Sequence, residues 1–224
     1  GLKLGFRLWD GSSVPASWPP DGLAIAIADA GVPAALLRKP KLDTLLNLHI
    51  ADRIAIRNGS IFDLAAARPD GKVANRAFLF GPDGALVTTY DKIHMFDVDL
   101  PTGEKWTESA AYAGGEAIAL VDTPIGRLGL SICYDLRFPE LYRALVDGGA
   151  EVIAIPAAFT VPTGEAHWHT LVRARAIENL CFVVGVNRVG SDGNGLHYAG
   201  DSAVIDFLGQ PVSECMDAEV VATT

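Results

Sequence analysis

The sequence predicts a mixed α/β domain. Three observations predict it: apolar runs of strand length, stretches of helical period between them, and turn residues rich in Gly, Pro and Asp at the joints. Half of the 224 residues are hydrophobic and mean hydropathy is positive, so the chain can bury a sizeable core as one domain spanning residues 1–224.

The elements follow in order from Ile54. Ile54–Ile61 is a short strand, Arg68–Gly71 a turn, and Val73–Phe80 and Ala85–Tyr90 a hairpin closed by Pro82-Asp83-Gly84. Ala117–Asp122 and Gly126–Cys133 repeat that scheme around Thr123-Pro124-Ile125-Gly126. Pro139–Gly148 is a helix with Leu141, Ala144 and Leu145 on one face, and Ala166–Asn179 is a second helix. Between them Glu151–Pro156 is a mostly apolar strand of the kind buried on both faces. Phe182–Asn187 and Ser202–Phe207 are strands flanking a glycine-rich stretch, Gly190–Gly200. That stretch has neither the spacing of a phosphate-binding fingerprint nor a helix after it, and reads as a hairpin or surface loop. Residues 1–53 have a different character, with Trp9, Trp18, Pro15, Pro19, Pro20 and Pro33 scattered among glycines; their helix-like parts are Gly22–Ala30 and Leu42–Ile54.

Charge and composition exclude several classes of function. A net charge of −9 opposes binding to nucleic acid or to an anionic membrane surface. No run reaches the length of a membrane-spanning helix, and the first residues lack a signal peptide's apolar centre, so a cytoplasmic protein is expected. Cys133, Cys181 and Cys215 are spaced neither as zinc pairs nor as a redox motif and are expected to be free thiols. His167 and His169 have no cysteine or carboxylate cluster at ligand spacing, and no metal is expected.

One phrase points to chemistry. In Gly129-Leu-Ser-Ile-Cys133-Tyr-Asp-Leu-Arg137-Phe-Pro-Glu140 an apolar run ends at a cysteine and turns at once into a polar, helix-starting segment. A lone cysteine there is either a packed core thiol or a nucleophile on a strand-to-helix elbow, where backbone N–H groups favour the thiolate and bind an oxyanion. Lys92 closes the extended Tyr90-Asp-Lys-Ile-His-Met-Phe96 stretch, and Ile155-Pro-Ala-Ala-Phe159-Thr160 is a second strand breaking into a loop. Cys181 lies in apolar sequence and reads as packing.

Taken together, DKIHMFDVDLP, ESAAYAGG, CYDLRFPELYRAL, PAAFTVPTGEAHWHTLVRARAIEN and GDSAVIDFLGQP resemble the nitrilase, or carbon–nitrogen hydrolase, superfamily, in the branch of ω-amidases and Nit-type amidases. The resemblance runs from about Ile54 to about Glu214 and leaves residues 1–53 unmatched. It implies a four-layer α-β-β-α sandwich and hydrolysis of the terminal carboxamide of a small carboxylate-bearing molecule. It further implies a cysteine acyl-enzyme, no cofactor, and a homodimer. It assigns Cys133 as nucleophile, Lys92 as the ammonium beside the thiolate, Glu108 (with Glu104 less well matched) as the glutamate near that lysine, and the N–H of Tyr134 as an oxyanion donor. Phe159 and Thr160 fall on the pocket wall. Arg137 stands either as a partner for the substrate carboxylate or in an ion pair with Glu140, and Arg173, Arg175 and Glu178 read as a buried ion-pair network.

The chain departs from the family in its first third. The family's general-base glutamate has no counterpart, since no glutamate precedes Glu104, and Asp10, Asp21, Asp29, Asp43 and Asp52 are the only acids before Ile54. The family also continues into a dimer-forming tail beyond the region where this sequence ends, at Thr224. An altered N-terminal segment, a substituting aspartate and a non-catalytic relative of the same fold all fit. A hydrolase of N-carbamoyl amino acids is the other enzymatic alternative.

Overall fold

A computed structural model describes residues 72–99, 103, 105–193 and 195–215, together with the backbone of the strand segments 5–7, 13–14, 24–27 and 54–57. The chain forms a mixed α/β fold in two compact units, one of residues 1–89 with 110–113 and the other of residues 90–109 with 114–224.

In the first unit β1 (Gly5–Arg7), β2 (Ser13–Val14), β3 (Ala24–Ile27) and β4 (Ile54–Arg57) make a sheet in the order β2-β1-β3-β4. The expected helix Gly22–Ala30 is therefore corrected: its centre is a strand, paired in parallel with β1 and antiparallel with β4. Ala-Ile-Ala-Ile is ambiguous by local period, and pairing on both sides decides in favour of the strand. The expected helix Leu42–Ile54 lies outside the described residues except for Ile54, which opens β4. β5 (Val73–Ala74) pairs with β10 (Tyr112–Ala113), and β6 (Arg76–Phe80) and β7 (Leu86–Asp91) form the expected hairpin.

The second unit is built on a six-stranded sheet of β11 (Ala119–Thr123), β12 (Gly126–Leu130), β13 (Val152–Ala157), β14 (Phe182–Asn187), β17 (Ser202–Ile205) and β18 (Pro211–Cys215), in that spatial order. β12, β13 and β14 run parallel and the remaining pairs antiparallel. Register lines up Gly129, Ile153, Val183 and Ile205 in one row and Ile155, Gly185 and Ala203 in the next on the same face. That face carries α1 (Pro139–Asp147) and α2 (Val161–Asn179), whose Leu141, Tyr142, Leu145, Trp168, Val172 and Ala176 complete the core. Shorter ladders join β8 (Asp97–Asp99) to β9 (Lys105–Thr107) and β15 (Val189–Ser191) to β16 (His197–Ala199). The second ladder makes Gly190–Gly200 a hairpin, as expected.

α2 starts five residues before the expected Ala166. Pro162 supplies a φ already suited to the first turn, and Gly164 is required because a Cβ there would run into Ala199. Its buried stripe is Gly164, Trp168, Val172, Arg175, Ala176 and Asn179, mixed enough in polarity to hide the helical period. Gly185 has a similar reason: a Cβ at that position would sit 2.8 Å from the Trp168 indole. Gly185→Val is expected to destabilise the protein by about 1–3 kcal/mol through overpacking, measured as a shift of the urea midpoint; an unchanged midpoint would mean that the Trp168 ring is free to move away.

Candidate active site

Lys92 follows directly on β7 and is 2 % exposed. Burial of an ammonium requires a partner, and the Glu108 carboxylate accepts from Lys92 Nζ at 2.6 Å through Oε2. The same oxygen accepts the N–H of Phe96 at 2.6 Å, and the Glu108 N–H donates to the Phe96 carbonyl, so Glu108 is held against the segment that carries Lys92. Gly114 and Gly115 close over this segment, with Gly115 N–H donating to the Lys92 carbonyl at 2.8 Å. A side chain on Gly115 would collide with the backbone of Asp91, which explains the paired glycines after Tyr112-Ala113.

The cysteine elbow follows β12. Ser131 N–H donates to the Ala154 carbonyl, and Ser131 Oγ lies 2.9 Å from the Tyr142 hydroxyl, which ties the end of β12 to β13 and α1. Cys133 then adopts φ +49°, a left-handed conformation unusual for a residue with a Cβ. Cys133–Arg137 forms a 3-10 turn rather than the start of the expected elbow helix, which begins only at Pro139. The reason is local: proline pushes its predecessor out of the helical region, and Phe138 stands at φ −112°, ψ 91°. Asp135, fully buried, accepts the N–H of Ile132 at 2.9 Å and closes the turn upon itself. At its far end Arg175 donates twice to the Leu136 carbonyl, at 3.0 and 2.7 Å.

The Cys133 thiol is pushed above the usual cysteine range by burial; the N–H of Ala158 and the charge of Lys92 oppose this, while Glu108 and Asp135 add to it. The charge of Lys92 favours the thiolate, but burial outweighs it. Cys181, in the core, is pushed up to about 11 by its burial and by Glu178. Its reading as a packing residue holds.

The Ala158 contact brings the end of β13 to the thiol, and Phe159 and Thr160 follow at once. Phe159 N–H donates to Asn187 Oδ1 at 2.9 Å, and Asn187 Nδ2 donates to the Gly200 carbonyl at 2.6 Å. Thr160 caps α2 and bridges to Tyr198. The Arg137 guanidinium lies 5.8 Å from the Tyr134 ring centre and 5.6 Å from that of Phe159, and Nη2 donates to His167 Nδ1 at 3.2 Å. Pairing of Arg137 with Glu140 is not formed, because the break at Phe138 removes the continuous helix that this spacing requires. Of the expected basic network, Arg175 pairs with Glu178 at 2.7 Å, whereas Arg173 donates instead to the Gly209 carbonyl. Glu104 and the aspartates of residues 1–53 lie outside the described residues.

The structure therefore places Lys92, Glu108 and Cys133 within mutual electrostatic reach, with Tyr134 and Arg137 on the elbow and Phe159 and Thr160 on the stretch that follows β13. Sequence reasoning missed Tyr90, Asp135, His167 and Asn187. Asp135 and Tyr90 stood inside the phrases already singled out, but nothing local says that they touch. Among the described residues, no group of three or more His, Cys, Asp or Glu is arranged to hold a metal ion.

The carbon–nitrogen hydrolase family model matches residues 46–223. The chain belongs to the carbon–nitrogen hydrolase family. It is 44 % identical over 164 residues to the deaminated glutathione amidase of Yersinia enterocolitica, covering 73 % of this chain and 57 % of that protein. It is 35 % identical over 168 residues to omega-amidase NIT2 of Mus musculus, covering 74 % and 61 %. Among solved structures, Saccharomyces cerevisiae Nit3, a member of branch 10 of the nitrilase superfamily, matches with a TM-score of 0.60 and 33 % identity over 69 % of this chain and 54 % of that one. The chain thus spans a little over half the length of these relatives. Membership in the hydrolase family agrees with the resemblance carried by the DKIH and CYDLRFPE phrases.

The raised pKa makes a prediction for a carbon–nitrogen hydrolase thiol. Alkylation of Cys133 by iodoacetamide is expected to be slow at pH 7 and to keep rising beyond pH 9, the rate following the thiolate fraction; Cys181 should stay unlabelled in the folded protein. Site-resolved peptide mapping across pH checks this, and a Cys133 plateau already reached near pH 7 would contradict it.

Proposed function

We propose that this protein hydrolyses the terminal carboxamide of a small carboxylate-bearing molecule through a thioester on Cys133, as one carbon–nitrogen hydrolase domain. The observation that supports this reading best is the buried Lys92–Glu108 pair acting on a cysteine held in a strained elbow. The relatives' names favour a carboxamide over an N-carbamoyl group. The reading includes a homodimer working without a cofactor, as the family resemblance implies, and the cytoplasmic setting expected from the sequence.

In this reading Cys133 Sγ attacks the amide carbon, and the new oxyanion is met by the Lys92 ammonium and the Tyr134 N–H, which lies in the first turn of the 3-10 segment. The C–N bond breaks, ammonia leaves with a proton, and the acyl group stays on sulfur. Water then attacks the thioester and returns the thiol and a free carboxylate. Arg137, between the Tyr134 and Phe159 rings, is placed for the carboxylate at the other end of the substrate; a guanidinium suits that planar partner. Phe159 and Thr160 wall the substrate chain.

Glu108 is already occupied by Lys92 and the Phe96 N–H, so the water attack calls on a different base. General-base assistance contributes about a hundred- to ten-thousand-fold, and deacylation by water needs it most. Incubation with succinamate is expected to release ammonia and succinate in amounts exceeding the enzyme concentration, with a succinyl adduct detectable on intact protein, all absent in Cys133→Ala. Neither adduct nor ammonia from the native protein would identify a non-catalytic relative.

Arg137→Met is expected to slow acylation by succinamate about tenfold or more relative to a neutral amide such as propionamide, the scale of a lost charged hydrogen bond. Equal slowing of both amides would remove Arg137 from carboxylate recognition.

A further inference from the structure

Lys92 and Cys133 reach the site on different stretches of chain, and something must set the distance between them. Glu108 does not: its contacts to Lys92 Nζ and to the Phe96 N–H hold the lysine within its own segment. Aromatic contacts cross to the elbow, with the His94 ring stacked on Phe138 at 3.7 Å and Phe96 edge-on to Tyr134 at 5.0 Å, but stacking tolerates sliding. The hydrogen bonds that cross from residues 90–96 to the elbow converge on the Asp135 carboxylate. Oδ2 accepts the Tyr90 hydroxyl at 2.8 Å and the Ile132 N–H at 2.9 Å, and Oδ1 accepts the His94 N–H at 3.0 Å and His94 Nδ1 at 2.8 Å.

These donors are distributed in a particular way. Tyr90 stands two residues before Lys92 and His94 two after it, so the lysine is bracketed; Ile132 directly precedes Cys133, and Asp135 itself follows it by two. Each donor is fixed in its role. A carboxylate only accepts, so the His94 proton toward it is on Nδ1. Burial, together with the Asp135 charge, raises the Tyr90 pKa, which keeps its proton on the phenol. Asp135 is 0 % exposed, and breaking a hydrogen bond to a buried charge is strongly unfavourable, so the junction is stiff.

We propose that Asp135 is a positioning residue that sets the Lys92–Cys133 geometry by clamping the segments on both sides of Lys92 to the cysteine elbow. The proposal rests on the reading of Cys133 and Lys92 as the reacting pair. Electrostatics by itself would disfavour a carboxylate here, because the Asp135 charge works against the thiolate that the reaction requires. Its benefit is therefore geometric. A purely electrostatic role and a positioning role predict opposite results for removal of the charge.

The test is a double-mutant cycle read by the alkylation rate of Cys133 at neutral pH, followed by peptide mapping. Lys92→Gln, which removes the charge that favours the thiolate, is expected to slow alkylation about tenfold. In the Asp135→Asn background the same substitution is expected to change the rate about twofold or less, and in Tyr90→Phe, which removes one donor without changing shape, by an intermediate factor. Circular dichroism establishes which variants are folded; if Asp135→Asn is not, the Tyr90→Phe comparison decides. An undiminished Lys92 factor in these backgrounds would overturn the proposal, as would simple acceleration by Asp135→Asn with the Lys92 factor intact. No Lys92 effect in the native background would instead sink the reacting pair itself, and the positioning role with it.

Discussion

Asp135 puts a carboxylate where solvent does not reach, and a buried carboxylate is tolerated only when its oxygens are filled by donors. Here the donors come from the end of β7, the loop after Lys92 and the elbow itself, so solvating one charge obliges three pieces of chain to meet. Much of the site's shape follows from this requirement. Lys92 imposes a second one of the same kind, met by Glu108, and that pair in turn draws the 92–97 segment against the turn at residues 108–110.

The core works as the platform for these junctions. Ile153, Ile155, Val183 and Ile205 are essentially inaccessible, and the helices resting on them are fixed by large side chains such as Trp168 and Tyr142. Polar groups of the helices are turned to the same task. Arg175, on the buried stripe of α2, caps the carbonyl of Leu136, while Tyr142 of α1 meets Ser131 just before the cysteine. The elbow is thus supported from the sheet below and from both helices, which explains how Cys133 holds a left-handed backbone that costs about 1–3 kcal/mol.

Burial has an electrochemical consequence as well. The elements that make the elbow rigid also desolvate its thiol, and the Lys92 ammonium acting on it shares its charge with Glu108. That separates it from an exposed cysteine at an ordinary helix start, the picture that the linear phrase alone suggests.

What the sequence by itself determined was local: the β6–β7 hairpin, the alternation of strands with helices from Ala119 onward, and the phrases around Lys92, Glu108 and Cys133 that mark the family. These are readable because turn chemistry, helical period and short motifs are properties of neighbours along the chain. Tertiary structure alone decided that Ala24–Ile27 is a strand, that Arg137 turns to His167 rather than Glu140, and that Asn187 holds Phe159. It also decided that Asp135 joins residues forty-odd positions apart and that burial outweighs Lys92 at the thiol. Each of these depends on which distant groups share a small desolvated space, and the order of residues in a motif holds no record of that.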